Sequence, residues 1–132
     1  MLSWDLEDWI TDTGAAILDK RLVDPTALTP IEGLIFEIWL LDTEARNGGL
    51  SQYFCNRGVE QWKSCKSAAH SLRLTTFSPF ADAVDEMVSG ESDVYEVINV
   101  NGIEAENLWY GYQETVVLQL KAIAAGQQST SV

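Results

Sequence analysis

The stretch from Glu44 to Asn56, Glu-Ala-Arg-Asn-Gly-Gly-Leu-Ser-Gln-Tyr-Phe-Cys-Asn, constrains this chain more than any other feature. An apolar run stops at Asn47-Gly48-Gly49, and a short aromatic segment flanked by amides follows at once. The pattern predicts a helix over 30–46 that has to end here. Asn47 and Gly48 suit the left-handed position that closes a helix, because Gly has no Cβ to clash and Asn tolerates it. Gly49 allows a second unusual dihedral or a close backbone approach. Ser51 can then cap a new short helix carrying Tyr53 and Phe54. Asn47, Gln52 and Asn56 can bond backbone groups stranded at the two helix ends. A chain reversal needs such residues for its shape alone. The functional alternative is a ligand pocket lined by these amides and Tyr53.

Apolar periodicity predicts helices on both sides of the corner. Ser3 is placed to cap a first helix through about residue 21, with Asp5, Glu7 and Asp8 in its opening turns and Leu6, Trp9, Ile10, Thr13 and Ile17 inward. Asp24-Pro25 breaks it. Thr29-Pro30-Ile31-Glu32 combines a cap, a Pro at the first helical position and a Glu able to close a capping box. Ile31, Leu34, Ile35, Ile38 and Trp39 then fit one helical face, while Phe36, Leu40 and Leu41 widen the apolar surface beyond a single stripe. That helix is therefore central or half of a dimer interface.

Beyond the corner, 59–74 reads as a helix with Trp62, Cys65, Ala69 and Leu72 inward and a basic stripe of Lys63, Lys66, His70 and Arg73 outward. Ser78-Pro79 opens another, with Phe80, Ala83, Val84, Met87 and Val88 inward. Residues 91–103 combine strand-favouring Val and Ile with no second strand to pair, so they read as loop or partial helix. The last helix runs from about 104 to 125. The expectation is an all-α, single-domain bundle of about five to six helices over 1–126, with a flexible tail at 127–132.

Charge is the second constraint. The net charge is −12 over 132 residues, distributed as −8 over 1–45, +4 over 46–73 and −8 over 74–132. With 46% hydrophobic residues and five Trp, this is a folded acidic globule rather than a disordered acidic tail. Its field repels nucleic acid and anionic membranes and steers basic proteins in; a soluble protein also gains solubility from such acidity. No apolar run is long enough to span a bilayer, and the N-terminus lacks a signal-peptide pattern, so a cytoplasmic protein is expected.

Chemistry is sparse. His70 is the only histidine and lies amid Lys and Arg. Cys55 and Cys65 lack CxxC spacing and read as free thiols, Cys65 as a small core residue. No phosphate-loop, dinucleotide, zinc-protease or serine-hydrolase motif occurs, and no catalytic residue, metal or cofactor is expected. The carboxylates are the candidates. Asp82, Asp85, Glu86, Glu91, Asp93 and Glu96, adjoined by Glu104 and Glu106, form one dense set, of which Asp82, Asp85 and Glu86 read as outward-facing. Asp5, Glu7, Asp8 and Asp12 form another. Helical neighbours at i, i+3 and i+4 lie about 5–6 Å apart at Cβ, so such rows can display charge in a regular line. They are suited to a groove whose Lys and Arg neutralise phosphates.

The corner also carries a resemblance. Glu44, Asn47, Gly48, Gly49, Gln52, Tyr53, Phe54 and Asn56 match the signature of the DNA-mimic protein 19 family, small bacterial α-helical proteins of unassigned function. Leu50 stands where that family more often has Phe. The resemblance implies an all-α fold and, by the family's namesake, an acidic surface that occupies a DNA-binding protein. The signature contains one carboxylate, so mimicry rests on the rest of the chain. The expected partner is a basic, nucleic-acid-binding protein, with no direct binding of nucleic acid or membrane, and a homodimer is expected. Two alternatives remain open: an immunity or antitoxin-like inhibitor of a basic nuclease, and a small-ligand binder or enzyme using the Asn47, Gln52, Tyr53 and Asn56 corner.

Overall fold

The computed structural model describes residues 2–90 and 93–130, with side chains throughout except at 103 and 127–130. Five helices follow in order: α1 (Trp4–Val23), α2 (Pro30–Ser71), α3 (Ser78–Met87), α4 (Val94–Asn101) and α5 (Ile103–Thr130). Short 3-10 turns at Pro25–Ala27 and Thr75–Phe77 join α1 to α2 and α2 to α3. No strand occurs among the described residues. Residues 94–101, ambiguous by composition, are helical because Asp93 caps the Glu96 N–H at 3.0 Å and Ile98 is buried. The last helix continues to Thr130, past the boundary expected at 126.

α2 is the hub. Its start follows the predicted chemistry: the Thr29 side chain accepts from the Glu32 N–H, Glu32 accepts from the Thr29 N–H, and Pro30 fills the first turn. Gly48, Gly49 and Gly58 depart from helical geometry, so α2 is three straight pieces, 30–47, 50–57 and 59–71. α1, α4 and α5 all pack on it. At Gly14 the α1 backbone rests on the Trp39 ring, where any Cβ would collide. Ser3 occupies the N-cap position of α1, but its side chain makes no capping bond.

The first piece of α2 is central. Leu34, Ile35, Phe36, Ile38, Leu40 and Leu41 are all buried within the single chain. Its wide apolar surface is therefore consumed inside the monomer and no longer argues for a dimer. An aromatic chain of Tyr53, Phe54, Trp62, Phe77, Phe80 and Trp109 fills the other half of the core, with ring centroids 5.0–6.3 Å apart in mostly edge-to-face geometry.

Candidate functional site

The corner is a structural clasp. The residue with positive φ is Gly49, at φ 82° and ψ 174°, a region open essentially to Gly alone. Gly48, expected in that role, has φ −147°; the end of the Gln52 side chain packs where its Cβ would stand. Glu44 ties the first and second pieces of α2 together: Asn56 Nδ2 donates to it at 2.6 Å, and the Arg57 guanidinium lies 3.7 Å away. Tyr53 is fully buried edge-on to Phe54 and Trp62, and burial pushes its phenol pKa upward. Phe54 is buried beside it, and Asn47 is exposed.

The four side chains proposed for a pocket therefore do not converge. Asn56 is committed to Glu44, Gln52 covers Gly48, Tyr53 is in the core and Asn47 is exposed. A cavity of about 260 Å³ does adjoin the corner, but Gly48 to Ser51, Ile98, Asn99, Gly102, Ala105 and Glu106 line it. The Glu106 carboxyl lies about 4.0 Å from where a Gly49 Cβ would be, over the start of the 50–57 piece, where a helix favours an anion.

The carboxylates fall into two groups. Some hold the fold. Asp42 is completely buried, and its Oδ1 accepts from Trp109 Nε1 at 3.0 Å and Gln113 Nε2 at 2.6 Å. Arg46 stands 2.9 Å from Asp42 Oδ2 as an ion pair, and also reaches Glu7 at 2.9 Å, so the network joins α1, α2 and α5. Asp85, expected to face outward without a core contact, accepts from the buried Trp62 Nε1 at 2.9 Å and pairs with Lys66 at 2.9 Å. An indole N–H sealed in a core needs an acceptor, and Asp85 supplies it. Glu37 is buried beside Gln61, which donates to one oxygen; its other oxygen has no partner among the described residues. Burial raises the Glu37 pKa against the opposing pull of Ser64, Gln61 and Arg21.

The others make no ion pair among the described residues, although Asp24 and Asp93 cap helical turns and Glu37 is buried beside Gln61. Six acidic residues sit in ion pairs: Glu7, Glu32, Asp42, Glu44, Glu60 and Asp85. Glu91 lies outside the described residues. The remaining thirteen of the 20 make no ion pair among the described residues, and all but Glu37 are exposed. Asp82 and Glu86 are exposed on α3, Asp93 and Glu96 on α4, and Glu104 and Glu106 on the first turn of α5. The dense set of the sequence is thus spread over three helices. On α1, Glu7 leaves the predicted row by pairing with Arg46, and Asp19 joins it. Asp5, Asp8, Asp12 and Asp19 are all exposed and fall within about 60° of one another around the helix.

The basic stripe is also partly spent, since Lys66 pairs with Asp85 and Lys63 with Glu60. His70 is exposed, Cys55 is exposed, and Cys65 is fully buried with its thiol pKa raised by burial. Among the described residues no cluster of His, Cys, Asp or Glu could hold a metal, and no helix is long and apolar enough to cross a membrane.

Fold and surface together define a small all-α protein built on a kinked central helix, with twelve exposed carboxylates outside any ion pair among the described residues. A family comparison makes this specific. The chain belongs to the DMP19-like protein family, whose sequence model matches residues 26–124. The match spans α2 to most of α5 and leaves α1 outside it. Comparisons with curated proteins and with solved structures returned no match.

Proposed function

We propose that this protein is a non-enzymatic acidic binder that engages a basic, DNA-binding protein through its carboxylates, in a manner resembling DNA mimicry. One observation carries the reading: among the described residues twelve exposed carboxylates make no ion pair, while five of the eight Lys and Arg are already engaged in ion pairs. Such a surface has a strong negative field and few internal cations to quench it, which steers a basic partner in and raises its association rate. Family membership supports the same reading. The corner contributes by fixing the helices and not by contact.

The test is a column of the immobilised chain, loaded with cell lysate at low salt and eluted with a salt gradient. Basic DNA-binding proteins are expected to elute as salt rises, and added duplex DNA is expected to compete them off. Screening reaches a Debye length of about 8 Å at physiological ionic strength, so retention should fall steeply toward that salt. Asp82→Lys with Glu86→Lys should weaken retention without loss of fold, because both side chains are exposed; Asp85 is left intact for Trp62. Recovery of no basic protein, or competition by no DNA, would reject the proposal. A basic nuclease as the retained species, inhibited on binding, would select the immunity-protein alternative.

A further inference from the structure

We infer that the outer face of α1 is a docking surface for a basic protein surface that carries apolar groups at both ends of its cationic row. The inference rests on the binding role proposed above and names a surface and a partner chemistry for it. α1 buries Leu6, Ile10, Gly14 and Ile17 against the bundle. At about 100° per residue, the direction opposite that buried stripe passes through Asp5, Asp8, Asp12 and Asp19. The same direction passes close to Trp4 at one end and to Leu22 and Val23 at the other. Trp4 is 84% exposed, Leu22 72% and Val23 88%. One helix face therefore reads apolar, acidic, apolar along about 28 Å.

No contact among the described residues accounts for this face. There the four carboxylates make no ion pair, and the three apolar side chains are among the most exposed large hydrophobics. A solubility device would not need an exposed Trp, which costs solubility. Exposed Trp at a recognition surface is, by contrast, the usual anchor.

Charge decides the occupant. A second copy laid antiparallel on this face would match Trp4 to Leu22 and Val23, but would set four Asp against four Asp. An anionic membrane or a nucleic acid would meet the same repulsion. A cationic row flanked by apolar groups satisfies both features at once, the charges setting encounter and register and the apolar ends slowing release.

The experiment uses the full chain and two synthetic helical peptides of about 20 residues. Both carry four Lys at i, i+3, i+7 and i+14; one has Leu at both ends and the other Ser. Affinity is read at low salt by anisotropy, and the bound surface by amide shifts. The Leu-ended peptide is expected to bind at least about tenfold more tightly, with shifts along α1. That difference should vanish in Trp4→Ser/Leu22→Ser/Val23→Ser, while Asp5→Asn/Asp8→Asn/Asp12→Asn/Asp19→Asn should weaken both peptides. Equal affinity of the two peptides would overturn the inference. Binding with shifts confined to 78–106 would overturn it too, yet leave the acidic-binder reading standing. Absence of binding by either peptide would remove both. A dimer in sedimentation that dissociates in the triple Ser variant would assign the face to a second copy instead.

Discussion

Asp42 and Asp12 are the same side chain in opposite circumstances. Asp42 lies at the junction of three helices, with an indole, an amide and a guanidinium around it. Asp12 sits on the outer face of α1, exposed, with no cation or donor on its carboxylate among the described residues. The contrast separates charge that the fold requires from charge that the fold merely carries. Around α2 Asp42 and Asp85 each answer a buried indole that would otherwise be stranded, and half-buried Glu44 ties Asn56 to the preceding helical piece. On α1 the row of Asp pairs with no cation among the described residues. Only the second kind is free to be shaped by a partner.

The largest expected effect tests the first kind. Asp42→Ala leaves the Trp109 N–H and the Gln113 amide without their acceptor and Arg46 without its buried partner. Unfolding free energy in urea should fall by about 3–5 kcal/mol, as for other broken buried pairs. A loss under about 1 kcal/mol would mean that the network is not a tie between helices.

Gly49→Ala comes next. Its φ of 82° and ψ of 174° lie where an L-residue with a Cβ is strained, by on the order of 1–3 kcal/mol. Gly48→Ala should cost less, because the obstructing atom is the end of the Gln52 side chain, which can swing aside. Reversal of that order in melting temperature would put the turn at the wrong glycine.

Glu37 sharpens the comparison, since it is buried yet only half satisfied. Its folded pKa is raised above the ordinary glutamate value, first by burial. A carboxyl with a raised folded pKa contributes its stability fully below its unfolded pKa and loses it as pH climbs through the folded one. Glu37→Gln, which keeps an acceptor for Gln61 without the charge, should therefore stabilise the protein at pH 7, by about 1 kcal/mol. The gain over wild type should shrink as pH falls toward 4.5. A destabilised variant at pH 7 would mean that the charge itself has an unrecognised partner.

Much of this architecture is legible in the sequence. Thr29-Pro30-x-Glu32 sets the start of α2, and Asn47-Gly48-Gly49 marks its first break, because capping and glycine chemistry are local. The Asp42 network is not legible in the same way. Asp42 and its donors Trp109 and Gln113 are 67 and 71 residues apart, and a lone Asp beside two Leu on an amphipathic helix reads as the edge of the stripe. The i, i+4 spacing of Trp109 and Gln113 was the available signal for a shared acceptor. Asp85 was misplaced for a related reason: periodicity turned it outward, but the demand of the Trp62 indole lies on another helix. Asp5, Asp8 and Asp12 were visible as a row, whereas the departure of Glu7 and the arrival of Asp19 required the positions of Arg46 and of the buried stripe.

The smallest effect on stability belongs to Asp5→Asn/Asp8→Asn/Asp12→Asn/Asp19→Asn, and it decides the central claim. These exposed side chains should change the urea midpoint little, with a few tenths of a kcal/mol lost at Asp5 from the first turn of α1. The decisive measurement is the salt concentration at which captured basic protein leaves a column of this variant, compared with wild type at matched load. Elution at clearly lower salt, from a variant as stable as wild type, is the predicted result. An unchanged elution profile would contradict the account and leave the acidic row of α1 without a binding role.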